Sequence, residues 1–150
     1  MKWIALAILG LIVVFAVWVR AAPYDAEVWH RPTDPRPAGD YPSAGGFLAV
    51  REITAAPDAV LSALDTVAAA TVRTTRMSGA PQDGMVTYRT RSALWGFPDY
   101  TTVATQADPD TGNTVLVINA RLQFGQSDMG VNRARVQGWL DALGPLTVQP

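Results

Sequence analysis

The chain predicts an α+β fold: an N-terminal transmembrane helix, then an antiparallel sheet with two helices on one face, in the order β-α-β-β-β-β-α. Three observations carry this. An uncharged apolar run opens the chain, a proline-rich stretch follows, and the remainder alternates between period-two and helical apolar spacing.

The apolar run, WIALAILGLIVVFAVWV from Trp3 to Val19, contains no charge and no proline. At about 1.5 Å per residue it reaches roughly 25 Å, near the lower limit for crossing a bilayer. Trp3 and Trp18 fall near its ends, where indoles favour the headgroup layer. A cleaved signal peptide is the alternative, with Val19-Arg20-Ala21 ahead of the cut, but its apolar core is usually only ~7–15 residues. Residues 1–20 therefore read as a membrane anchor, with contact to the bilayer through residues 3–19. The short tail before the run is signal-like and places the amino terminus in the cytoplasm. Arg20, Arg31 and Arg36 on the far side weigh against that orientation. The expectation is a single-pass protein of the bacterial inner membrane with its domain in the periplasm.

Residues 21–46 read as a linker. Pro23, Pro32, Pro35, Pro37 and Pro42 prevent a regular helix and stiffen the segment into a spacer, and Gly45-Gly46 closes it. Trp29 and His30 are out of place in a pure spacer. Trp29 suits docking on the domain or the membrane surface. His30, the sole histidine, reads as a loop residue, because a lone imidazole is a weak metal signal.

The domain then occupies 47–146, with 147–150 as a tail. FLAVREIT (47–54) is a strand. In AAPDAVLSALDTVAAA (55–70), Val60, Leu61, Leu64, Val67 and Ala68 make one helical face, with Pro57 and Asp58 suited to its first turn. TVRTTRMS (71–78), MVTYRTRSALW (85–95) and YTTVATQA (100–107) are strands separated by APQDG, GFPD and DPDTGN turns. TVLVINARLQF (114–124) alternates most clearly: Leu116, Ile118, Ala120, Leu122 and Phe124 against Val117, Asn119, Arg121 and Gln123. Residues 129–143 form the last helix. Met129, Asn132, Val136, Trp139, Leu140 and Leu143 fall on one stripe, so the polar Asn132 points inward.

Composition excludes several classes. With no cysteine there is no lipid-anchoring thiol, disulfide or thiolate metal site. A formal net charge of −1, without any basic run, argues against nucleic-acid binding. No cofactor motif and no metal-ligand set stands out.

Chemistry concentrates in FGQSDMGVNRARV (124–136). Ser127 or Asp128 suits the helix N-cap, and Gly125 and Gly130 permit a tight strand-to-helix turn. Asp128 and Arg135 share one edge of the stripe, with Arg133 on the other. A buried Asn132 must be satisfied by neighbours. Asp99, after Phe97-Pro98, is either a turn carboxylate or a partner of Arg133 or Arg135. Arg89 and Arg91 share a strand face, and Arg121 lies on the non-core face of its own strand. If those strands are neighbours, the three make either a solvated face or an anion site.

At these residues the chain resembles the DUF1499 family of uncharacterised proteins from bacteria and plastids. The pattern is Phe97 and Asp99 before a strand, then Gly125, Asp128, Gly130, Asn132 and Arg135 at the start of the last helix. Many members carry Ser-Arg shortly before the glycine, where this chain has Leu122-Gln123. WHRP (29–32) is similar to a segment of some membrane-anchored relatives. The resemblance covers 47–143, implies no activity, and suggests that Asp99 and Asn132 belong to one constellation.

The sequence favours a non-enzymatic extracytoplasmic module that binds a small anionic ligand or an envelope protein. Its candidate binding residues are Asp99, Asp128, Asn132, Arg135, Arg133, Arg121 and Arg91. A small-ligand role predicts a concave pocket between the last helix and the sheet. A protein partner predicts an exposed apolar patch with an arginine-bearing rim. The alternative is a hydrolase or lyase using Asp99 and Asp128 as acid and base.

Overall fold

The structure, a computed structural model, describes residues 1–148. Its helices are α1 (Lys2–Arg20), α2 (Ala26–Trp29), α3 (Pro57–Ala70) and α4 (Val131–Leu143). Its strands are β1 (Gly39–Ser43), β2 (Gly46–Glu52), β3 (Thr74–Ala80), β4 (Met85–Arg91), β5 (Pro98–Ala107) and β6 (Thr114–Leu122). All strand pairs are antiparallel, in the order β1-β2-β6-β5-β4-β3.

The α+β architecture matches the expectation, with one strand more. Gly39–Ser43 lies inside the stretch that composition assigns to a linker, yet it pairs with β2 along its length. Proline is tolerated there because β1 is an edge strand, where an N–H can be missing without breaking a ladder. Gly46 opens β2 against β6 so closely that a Cβ would lie 2.2 Å from the Ala120 carbonyl oxygen.

Strand register sets the two sheet faces. Phe47 pairs with Ala120, Ala120 with Thr101, and Thr101 with Tyr88, giving one row beneath the helices. The core on that side joins Phe47, Ala49, Val86, Tyr88, Val103, Leu116 and Ile118 to Val60, Leu61 and Leu64 of α3 and Val136, Trp139 and Leu140 of α4. The valine, leucine, isoleucine and phenylalanine side chains among them each contribute about 1.5–3 kcal/mol on full burial. The helical spacing of α3 and α4 thus reads correctly from the sequence, apart from Met129. The last helix starts at Val131, because Met129 and Gly130 both take positive φ (52° and 82°), and Met129 is 90% exposed. At the far end, Thr147 bridges Ile53 and Val148 N–H donates to the Glu52 carbonyl at 3.0 Å. The final two residues of the expected tail lie outside the described residues.

The opposite sheet face is covered rather than solvated. Leu48, Val50, Val115 and Val117 form a second buried cluster with Tyr41 against it. Beside it, residues 21–38 run across the sheet as a strap instead of standing away as a spacer. Trp29 stacks on Tyr100, with ring centroids 4.4 Å apart, and its carbonyl accepts from Thr102 Oγ1 (2.6 Å) and Arg121 Nη2 (2.8 Å). His30 Nδ1 meets Thr87 Oγ1 at 2.9 Å. Gln106 donates to the Thr33 carbonyl, and Ala38 N–H donates to Asp108, tying down the strap's end. Period-two alternation on β4, β5 and β6 signals a polar face, but Thr87, Thr102, Gln106 and Arg121 on it are partners for groups of the strap.

Among the described helices, α1 is long and apolar enough to cross a membrane. Its side chains are exposed almost throughout, with Val19 buried near the end that meets the domain. There Phe15 and Trp18 touch the domain's own aromatic residues. Phe15 lies 6.1 Å from both Trp95 and Phe97, and Trp18 lies 5.4 Å from Phe124.

Candidate functional site

The β6–α4 loop builds the site from its backbone outward. Asp128 N–H donates to the Ala44 carbonyl at 3.1 Å, tethering the loop to the β1–β2 turn. Its carboxylate accepts from Gly130 N–H (3.1 Å) and Asn132 N–H (2.9 Å). Asp128 therefore caps the helix start through the positive-φ pair Met129-Gly130. Ser127 Oγ accepts from Met129 N–H at 3.2 Å.

This turn delivers Asn132 into the interior, where it is fully buried. Its Oδ1 accepts from Arg135 Nη2, one helical turn further on. Arg135 Nη2 also donates to Thr101 Oγ1 at 3.3 Å, and Nη1 lies 4.0 Å from Asp99 Oδ2. Asp99 reaches this point from the start of β5, where it pairs with Thr90 on one side and Leu122 on the other. Asp99, Asp128, Asn132 and Arg135 thus form one constellation across a strand, a loop and a helix.

The electrostatics are unequal. Burial raises the Asp99 carboxyl to about 6; Arg135 opposes that shift, the nearby Asp128 carboxylate adds to it, and Asn132 weakly opposes it. The Asn132 Nδ2 group otherwise has no partner in hydrogen-bonding geometry. Burial lowers Arg135, while the negative charges of Asp99 and Asp128 hold it up. A pair at 4.0 Å is too long for a direct hydrogen bond, so Asp99 is desolvated without being fully paired.

Asp99 and Asp128 both open on a cleft of about 170 Å³ walled by Phe97, Leu122, Phe124, Met129 and Val131, with Ser92 and Ser127 at its edge. The interface between α4 and the sheet is itself filled by Val136, Trp139 and Leu140. The concavity expected there instead opens at the N-terminal edge of α4, beside the aromatic contact with α1.

The remaining candidates lie elsewhere. Arg133 is exposed, its guanidinium 5.6 Å from the Phe47 ring centre. Arg91 lies on the strap side, with Nη1 on the Gly96 carbonyl (2.8 Å) and Nη2 on the Arg20 carbonyl (3.0 Å). Arg121 faces that side too, its guanidinium 5.1 Å from the Trp29 ring centre and bonded to the Trp29 carbonyl. Arg89, Tyr100 and Arg121 sit in one register row, so the cationic residues are aligned, with Trp29 stacked on the central tyrosine. A second, polar cavity of about 450 Å³ lies between strap and sheet, where Arg31 and Arg36 join Arg121. Among the described residues no cluster of histidine, aspartate and glutamate could hold a metal ion.

Sequence reading overlooks Thr101, although strand parity with Asp99 places both on one face. It also overlooks the joint use of Phe97 and Phe124, which depends on a contact between distant segments. Residues 32–143 match a family described as "Protein of unknown function (DUF1499)". The chain belongs to the DUF1499 family. The matched span includes β1, so the DUF1499 unit takes in the sheet edge as well as the whole Asp99–Asn132 constellation. It begins after α1, Trp29 and His30. No curated protein and no solved structure matches the chain.

Proposed function

We propose that the chain is a single-pass module of the bacterial inner membrane, anchored by α1 with its domain in the periplasm, and that the Asp99 cleft receives the polar end of a small ligand. The observation that carries this is the state of Asp99. A carboxyl group desolvated in an apolar wall, and only loosely paired, disfavours the fold unless something else uses it. Arg135 and Asn132 support it from behind, and the cleft lies in front. Asp128, Ser92 and Ser127 are already committed to backbone N–H groups at the cleft edge, which leaves Asp99 as the available acceptor. That arrangement suits a hydroxyl or amine donor on the ligand better than an anion, because two carboxylates face the opening and the arginine lies behind one of them.

The enzymatic alternative has one point in its favour, since two carboxyl groups share the cleft and one has a raised pKa. Asp128 weighs against it. Its two oxygens hold two backbone N–H groups at the helix start, and a group so used makes a poor acid or base. Native mass spectrometry of the full chain released from nanodiscs tests the binding reading. A bound mass present with the wild type and absent with Asp99→Ala is expected. A wild-type spectrum showing apo protein alone, after purification directly from membranes, would sink it.

A further inference from the structure

We infer that the end of the domain touching α1 is immersed in the surface of the bilayer that α1 crosses, and that the Asp99 cleft takes its ligand, an amphiphile with a hydroxyl- or amine-bearing head, from that bilayer. The inference rests on the binding role proposed above and names the source and class of its ligand.

Depth follows from contact. Arg20 ends α1, and a basic residue after an apolar span sits at headgroup level. Phe15 lies five positions earlier, about 7–8 Å deeper along the helix axis. Trp95 and Phe97 are both within 6.1 Å of Phe15, less than its depth below Arg20, so both rings stay below the level of Arg20. Trp18 holds Phe124 near that level. The junction is fixed at two further points. Arg91 Nη2 donates to the Arg20 carbonyl, and the Arg20 side chain lies against Gly96, where a Cβ would come within 3.1 Å of it. The β4–β5 turn therefore reaches below the headgroup plane, and the β6–α4 loop lies at its level.

The exposed side chains at this end agree with that placement. Leu94 is 77% exposed, Met129 90% and Val131 55%. Scattered exposed apolar residues need no explanation, but these adjoin residues already in contact with the membrane helix. A protein partner would suit the same patch, but the bilayer already reaches its edge through α1. Phe97, Leu122, Phe124 and Met129 give the cleft apolar walls suited to an acyl or prenyl chain, and Asp99 is the acceptor at its polar end.

The chain has no cysteine, so single labels are easily placed. Leu94→Cys, Met129→Cys and, at the opposite end of the sheet, Gln82→Cys would each carry a spin label in the full chain. The host would be vesicles of phosphatidylethanolamine and phosphatidylglycerol. The expected result is that dissolved oxygen relaxes the labels at 94 and 129 more than a water-soluble nickel chelate does, with the order reversed at 82. Nickel access at 94 and 129 equal to that at 82 overturns the immersion. Native mass spectrometry of the same vesicle-derived samples gives the second arm: a phospholipid retained by the wild type and lost in Asp99→Ala is expected. Immersed labels with no retained lipid overturn the lipid-ligand assignment and weaken the binding reading. Water-exposed labels with a water-soluble ligand bound overturn this inference and leave that reading standing.

Discussion

Asn132 shows how one buried amide connects fold and site. It is an unfavourable residue for a helix face that packs on a sheet, yet its Oδ1 gives the buried Arg135 an acceptor and its N–H is held by Asp128. Asn132→Ala should therefore cost about 2–3 kcal/mol, because it leaves a buried guanidinium short of a partner. Chemical denaturation of the full chain in detergent would measure this, and unchanged stability would mean that Arg135 does not need the amide. Asp99 carries a pH signature of definite sign. Its folded-state carboxyl titrates at about 6 against about 3.9 when unfolded, so the folded form holds its proton more tightly. That contribution to stability is complete below about pH 3.9 and is lost as pH rises through about 6, with an upper bound of about 3 kcal/mol. The stability difference between wild type and Asp99→Asn should fall accordingly between about pH 4 and about pH 7. A difference that is flat across this window would show that Asp99 is not desolvated.

At the scale of elements, two glycines do different work. Gly130 has φ of 82° with open space around it, so Gly130→Ala meets only backbone strain, about 1–2 kcal/mol. Gly46 needs no left-handed backbone but has no room, since a Cβ there would meet the Ala120 carbonyl oxygen at 2.2 Å. Gly46→Ala should cost more, about 3 kcal/mol, because β2 must move off β6. Melting both variants would rank them, and the reverse order would refute the close approach. The strap is a third element with its own test. Trp29→Ala removes the ring stacked on Tyr100 and under Arg121, so hydrogen exchange in residues 24–33 should rise while the helix-side core stays protected. Unchanged exchange there would mean that backbone bonds alone hold the strap.

At the scale of the whole molecule, the sheet separates two surfaces of different character. The helix side is an apolar core edged by the Asp99–Asn132 constellation, while the strap side joins a small aliphatic cluster around Leu48 and Val117 to arginine, threonine and aromatic groups, closed by residues 21–38. The candidate cleft belongs to neither face. It opens at the end of the sheet where α1, the β4–β5 turn and the β6–α4 loop meet. Such a position couples α1 to the cleft, so a change in how α1 docks should alter the cleft. Phe15→Ala, which removes contacts to Trp95 and Phe97, should leave the core intact and reduce the ligand retained in native mass spectra. Full retention would show that the cleft works without the helix.

Elements whose cause is local are legible in the amino-acid order alone. Apolar period sets β6 and the buried stripe of α4, uncharged length sets α1, and the Asp-x-Gly-x-Asn order fixes the turn into α4. The inward direction of Asn132 follows from helical geometry alone. The helix α4 starts two residues later than apolar spacing predicts, since a positive φ at Met129 leaves no mark in a residue that usually avoids it. What the polar sheet face is for emerges from the packing of distant segments, because a threonine or arginine facing water and one facing a strap carbonyl have the same sequence pattern. Proline content likewise reports stiffness without saying what a stiff segment lies against. The union of Asp99 with Arg135, and of Phe97 and Phe124 with α1, depends on contacts between segments far apart in the chain, and residue spacing encodes no distance across such a gap.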